Sequence, residues 1–263
     1  MSNAEHDYVT GQLRPTAAAL LAEFESEGQS ATRFDGVELD VSYGPHARQK
    51  FDFFPAASAD RTLVYFHAGY WQARDKRTFR FLGPALAASG LQVVTVNYPL
   101  CPEVRLSELV EATAAIVPAL RARLGHQHPL VLSGHSAGAH LSTELAIRLQ
   151  HETLCGVLAI SGIYDLEPLV ATSLNERLQL DYGQASDASP IHRVRPNLPK
   201  AVFAVGGTET EAFLEQNHRM ADAWAGAGNE STEIVIPGAD HFSVLRALSD
   251  SAGELHRLLV GER

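Results

Sequence analysis

The chain has 263 residues, with 21 Lys plus Arg against 31 Asp plus Glu, and the formal charge of −10 argues against nucleic acid, whose phosphates need a cationic face. At 45% apolar and 20% charged residues it is neither disordered nor fibrous in composition, and it is long enough to bury a sizeable core. Its two cysteines, Cys101 and Cys155, do not describe a disulfide framework, and no run approaches the roughly 18 apolar residues of a bilayer span, so a cytoplasmic protein without a membrane partner is expected.

Within residues 1–36, positions 16–27 read as one amphipathic helix, whose apolar stretch runs into Glu23 and Glu25 rather than a cleavage site. From residue 37 onward short β-rich runs alternate with helical patterns, the rhythm of a mostly parallel sheet with helices on both faces. Runs 37–42 and 50–54, separated by Tyr43-Gly44-Pro45, predict an entering hairpin. Apolar runs at 63–66, 93–96, 130–132, 157–160, 202–205 and 233–236 predict six more strands, eight in all. Segments 77–89, 106–124, 137–149, 211–225 and 243–259 carry helical periodicity, with a kink expected at Pro118. Residues 166–199 break the rhythm and read as a small cap-like insertion over one end of the sheet, within a single domain.

Gly134-His135-Ser136-Ala137-Gly138 matches G-x-S-x-G between an apolar strand and a helical pattern, the context of a nucleophile elbow in an α/β-hydrolase fold. The glycines leave room for a sharp turn that lifts the Ser136 hydroxyl above the sheet, and the helix start supplies N–H groups for a developing anion. A serine needs an imidazole to take its proton. Among twelve histidines, chain order selects His241, which follows the last strand. His218 and His256 fall in helical patterns and His192 in the insertion. The orienting acid is expected in the loop after 202–205, where Glu209 is the first choice; Asp165, ending the preceding strand, is the alternative. Asp240 adjoins His241, but adjacent side chains diverge.

On the oxyanion side, run 63–66 leads into His67-Ala68-Gly69-Tyr70-Trp71, where Gly69 permits an unusual backbone. The Ala137 N–H is expected to act with that of Gly69 or Tyr70. Tyr70 and Trp71 read equally as core aromatics or as a wall of the site; on the second reading Trp71, with His135 and Tyr164, contacts substrate.

Taken together, His67-Ala68-Gly69-Tyr70-Trp71 with Asp75-Lys76, Asn97-Tyr98-Pro99-Leu100, Gly-His-Ser-Ala-Gly-Ala-His at 134–140, Ser161-Gly162-Ile163-Tyr164-Asp165 and Asp240-His241-Phe242 resemble the kynurenine formamidase group of α/β-hydrolases over roughly residues 40–250. The resemblance implies a triad of Ser136, Glu209 and His241, with 67–71 as the oxyanion element. It implies hydrolysis of N-formylkynurenine, with short-chain aryl or alkyl esters as the alternative substrates. Two positions depart from the pattern: Ala68 stands where the family has a second glycine, and Glu209 where animal members have Asp. Neither H-E-x-x-H nor a Cys-pair ligand spacing occurs, so no metal and no cofactor is expected. A non-catalytic binding protein on the same fold would be expected to have lost a triad member. The expected partner is a small-molecule substrate, and a homodimer stays open.

Overall fold

The computed structural model describes residues 3–57, 59–149 and 154–261. Eight strands form one sheet: β1 (Glu38–Ser42), β2 (Lys50–Phe54), β3 (Thr62–Phe66), β4 (Gln92–Val96), β5 (Leu130–His135), β6 (Leu154–Ile160), β7 (Ala201–Gly206) and β8 (Ser231–Ile236). Their order is β1-β2-β4-β3-β5-β6-β7-β8, with β2 antiparallel to β1 and β4 and every later pairing parallel. The expected hairpin and parallel sheet are both present. Alternation along β3 explains the layering: Val64 and Phe66 enter one buried cluster and Leu63 and Tyr65 the other, one on each face of the sheet.

The helices are α1 (Ala4–Tyr8), α2 (Ala17–Ser30), α3 (Lys76–Phe79), α4 (Leu82–Ala87), α5 (Leu106–Ala114), α6 (Ile116–Leu124), α7 (Ala137–Leu149), α8 (Asn175–Leu178), α9 (Tyr182–Asp187), α10 (Glu211–Gly226), α11 (Arg246–Ser249) and α12 (Glu254–Val260). Three segments that the periodicity joins are interrupted. Pro118 has no N–H for the Ala114 carbonyl, and the 106–124 segment breaks at Ala115 rather than bending. Pro84 likewise cannot serve the Arg80 carbonyl, which takes Gly83 N–H at 2.9 Å, dividing α3 from α4. The 243–259 segment opens with a short 3₁₀ turn, Ser243–Leu245, and is cut again where Asp250 Oδ1 accepts the Ala252 N–H at 2.9 Å. None of the described helices is long and apolar enough to cross a membrane.

Register fixes what the sheet presents at its carboxyl end. Phe66 pairs with Gly134, His135 with Ile160, Ile160 with Ala204, and Gly206 with Ile236, so the chain leaves β3, β5, β6, β7 and β8 at one level. Above that edge lies the insertion, α8 and α9 flanked by 3₁₀ turns Glu167–Ala171 and Pro190–Arg193. The N-terminal segment lies there too. Glu5 accepts from Ser173 N–H and Oγ at 2.8 and 2.7 Å, Thr210 Oγ1 donates to the Asp7 carbonyl at 2.7 Å, and Gln12 Nε2 donates to Thr210 Oγ1 at 2.9 Å.

An ion cluster, buried except at Asp40, lies where the loop after β3 enters α3. Lys76, wholly buried, lies 2.6 Å from both Asp40 Oδ1 and Asp52 Oδ1, and Arg80 Nε is 2.6 Å from Asp52 Oδ2. The Lys76 ammonium holds the Asp40 carboxyl below the ordinary carboxylate range. Lys76 and Arg80 both face Asp52, and half-exposed Asp40 adds a second carboxylate, so the desolvated charges are compensated. Removing Asp52 leaves the buried Arg80 guanidinium without its carboxylate; Asp52→Ala is expected to lower unfolding free energy by about 3–5 kcal/mol, read from a urea transition.

Candidate active site

Ser136 follows β5 with φ +56, in the left-handed region that side chains resist, and its N–H is tied to the Ile160 carbonyl at 2.8 Å. The turn is this tight because α7 begins hard against β3: a Cβ on Gly138 would lie 1.9 Å from the Phe66 carbonyl oxygen. Only glycine fits there, which accounts for the last position of G-x-S-x-G.

Glu209, in the loop between β7 and α10, has a wholly buried side chain with three donors around it. Oε1 accepts from Ser161 Oγ at 2.5 Å and from Gly206 N–H at 2.8 Å, and Oε2 from His241 Nδ1 at 2.6 Å. An ionised carboxylate only accepts, so Nδ1 carries the ring proton and the lone pair of neutral His241 sits on Nε2. The His241 ring lies 4.6 Å from that of His135, the residue before Ser136, and 4.8 Å from Phe213 on α10. Asp165, the alternative acid, instead meets Arg219 Nη2 at 3.2 Å and the Glu167 N–H at 3.2 Å. Asp240 accepts the N–H groups of Phe242 and Ser243, at 3.0 and 2.8 Å, and shapes the turn that carries His241.

The loop after β3 has three consecutive residues at positive φ: Gly69 at +132, Tyr70 at +49 and Trp71 at +59. Glycine is required at 69, where a Cβ would lie 2.1 Å from the Ala73 carbonyl oxygen. Ala68 is absent from the positive-φ set, so its methyl restricts nothing. Among the described residues no acceptor takes the N–H of Gly69, Tyr70 or Ala137, as an anion-binding group requires. The far end of the loop is pinned by Asp75, which accepts Asn97 Nδ2 at 2.7 Å, and by the Lys76 N–H, donated to Asn97 Oδ1 at 2.7 Å.

The three residues read as a substrate wall are all packed into the interior. Trp71, Tyr164 and His135 are wholly buried with no accessible surface. Trp71 donates its indole N–H to His140 Nδ1 at 3.2 Å, which leaves His140 Nε2–H for the Ala188 carbonyl at 2.9 Å. This chain ties the oxyanion loop to α7 and the insertion. Tyr164 packs edge-on against Phe203 at 5.5 Å. Tyr70 is the loop aromatic that faces the N-terminal segment, donating its hydroxyl to the Tyr8 carbonyl; Tyr8 in turn packs 5.8 Å from Phe213. Ser136, 1% exposed, and His241, 3% exposed, are likewise buried. A cavity of about 260 Å³ between α5, α7 and the insertion, lined by Glu144, Leu178 and Ala188, borders neither of them.

A strand-end serine, a histidine–carboxylate pair and a loop with free N–H groups stand at one edge of an eight-stranded mostly parallel sheet. The sequence profile of the α/β hydrolase fold matches residues 63–245, and the chain belongs to that family; it is a hydrolase. Within the family it is similar to the kynurenine formamidases of Danio rerio, 31% identical over 84% of this chain and 80% of that one, and of Salmo salar, 32% identical with the same coverage. A crystal structure from a Silicibacter species superimposes with a TM-score of 0.88, at 29% identity over 97% of this chain and 98% of that one.

Burial holds the His67 imidazole below the ordinary histidine value and that of His135 well below it. Both take a proton at about pH 6.5 when unfolded but resist it when folded. The unfolded state therefore binds more protons below that pH, and stability present above it is lost on acidification. The urea midpoint is expected to fall between about pH 7 and pH 5, and His67→Gln to flatten part of that slope. An unchanged slope in the variant would assign the proton uptake to other groups.

Proposed function

We propose that the protein is an arylformamidase that works through a formyl-enzyme on Ser136, with His241 as base and acid and Glu209 as its orienting carboxylate. The observation that carries this reading is the 2.6 Å contact from His241 Nδ1 to Glu209 Oε2, which leaves Nε2 as a base beside the elbow. Ser136 Oγ attacks the formyl carbon while its proton passes to Nε2 of His241. The oxyanion faces the N–H groups of Ala137 and of Gly69 or Tyr70. On collapse the C–N bond breaks, and the same proton goes to the departing arylamine. Water then attacks the formyl ester, gives a proton to His241, and releases formate as that proton returns to Ser136.

Two observations support formyl as the acyl group. The similar proteins from Danio rerio and Salmo salar carry the name kynurenine formamidase. The nucleophile is also buried, which favours an acyl group with only hydrogen on the attacked carbon.

Side-by-side turnover of N-formylkynurenine and a series of p-nitrophenyl esters tests this reading. A higher kcat/KM for the formamide is expected; negligible formamide cleavage beside rapid ester hydrolysis would replace it with a carboxylesterase. Ser136→Ala should lose activity by roughly 10³-fold or more while retaining the wild-type circular dichroism spectrum. Glu209→Gln should slow catalysis by about 10²- to 10⁴-fold, far more than Asp165→Asn, because only Glu209 stabilises the imidazolium formed during attack. A dead Asp165→Asn with an active Glu209→Gln would reverse the acid assignment.

A further inference from the structure

Arg74 has no assigned part in the chemistry, yet it is exposed and stands beside the loop of His241. It lies on the oxyanion loop with φ +71, and its Cβ packs 3.2 Å from where a Cβ on Gly69 would be. Its guanidinium reaches across to the loop that carries the base, with Cζ 5.2 Å from the ring centroid of Phe242. The Phe242 ring is itself 5.3 Å from the His241 ring and 5.9 Å from that of His135. The side chain thus spans the loop after β3 and the loop that carries His241.

Among the described residues Arg74 shares with Arg33 and Arg105 the lack of an acceptor, but it alone of the three lies over a ring next to His241. The chain has ten more acidic than basic residues, and Arg48, Arg80, Arg193, Arg219 and Arg246 each engage a carboxylate. Among the described residues no carboxylate or carbonyl accepts from the Arg74 guanidinium; it keeps only the ring contact. The titratable groups facing it do not neutralise it either: Tyr70, His67 and His135 stay uncharged in their buried positions at neutral pH. A guanidinium presents paired N–H donors in a fixed plane that matches a carboxylate.

We propose that Arg74 is a specificity-determining residue that binds a carboxylate on the leaving group of the substrate, so that anionic aryl substrates are selected over neutral ones of the same shape. This rests on the Ser136-centred site argued above, but not on the formamide being its substrate.

The test compares 4-acetoxybenzoate with methyl 4-acetoxybenzoate, esters that differ in charge and share the scissile bond, in wild type, Arg74→Gln and Arg74→Lys. The readout is the ratio of kcat/KM for the anionic to the neutral ester, from which any loss of folded enzyme cancels. The ratio is expected to fall by about 10- to 100-fold in Arg74→Gln, mainly through KM, and to recover in part in Arg74→Lys. It should also decline with added salt in wild type but not in Arg74→Gln. An unchanged ratio in Arg74→Gln, including one left by equal losses on both esters, overturns the proposal and makes Arg74 a strut for the His241 loop. If wild type fails on N-formylkynurenine while the ester ratio still depends on Arg74, the formamide reading falls and this one stands. If neither ester is cleaved, calorimetric binding of 4-acetoxybenzoate to wild type and Arg74→Gln decides, with equal affinities overturning it.

Discussion

The start of α7 lies against the end of β3, with Gly138 in contact with the Phe66 carbonyl, and the chemistry at the carboxyl edge depends on that approach. It brings the Ala137 N–H beside the loop that carries Gly69 and Tyr70, and it forces Ser136 into a left-handed turn. Non-glycine residues in that region each cost on the order of 1–3 kcal/mol, and such conformations persist only where their surroundings over-determine them. Those surroundings are visible on both sides. The parallel pairings of β5 with β3 and β6 fix one flank, and the Asp75–Asn97 and Lys76–Asp52 contacts fix the far end of the oxyanion loop.

The sheet was legible because its strands are buried on both faces, and apolar runs bounded by turn residues state that directly. The helices were less so. Their periodicity survives an interruption: the stripe through Leu106, Leu109, Val117 and Leu120 continues across Ala115 although the hydrogen bonds do not. A proline announces itself in sequence, but whether it bends a helix or divides it depends on which donor takes the freed carbonyl.

At the site, the pairing of His241 with Glu209 could be picked out because the strand order fixes which loops can meet, and the structure joins the two. Ser161 was hidden. It appeared in a quoted run, but its bond to Glu209 crosses 48 residues, and only the level exit of β6 and β7 brings the two together. The part played by residues 4–14 was equally hidden, since a short helix that packs through Tyr8 and a few polar contacts leaves no periodic signal. The aromatic run at 70–71 held two opposite meanings that sequence could not separate. The indole N–H of Trp71 turns inward to His140, whereas the Tyr70 hydroxyl turns outward to the N-terminal segment.

Ala68 bears on how such chains are recognised. It is buried and sits outside the positive-φ run, whereas Gly69 meets a backbone oxygen that no side chain could tolerate. The two glycines usual at these positions therefore answer different demands, one absolute and one a matter of available volume. A search pattern built on this loop loses nothing by admitting alanine at the first and loses its physical meaning if it relaxes the second. Sequences set aside for lacking the doubled glycine become candidates for the same anion-binding turn.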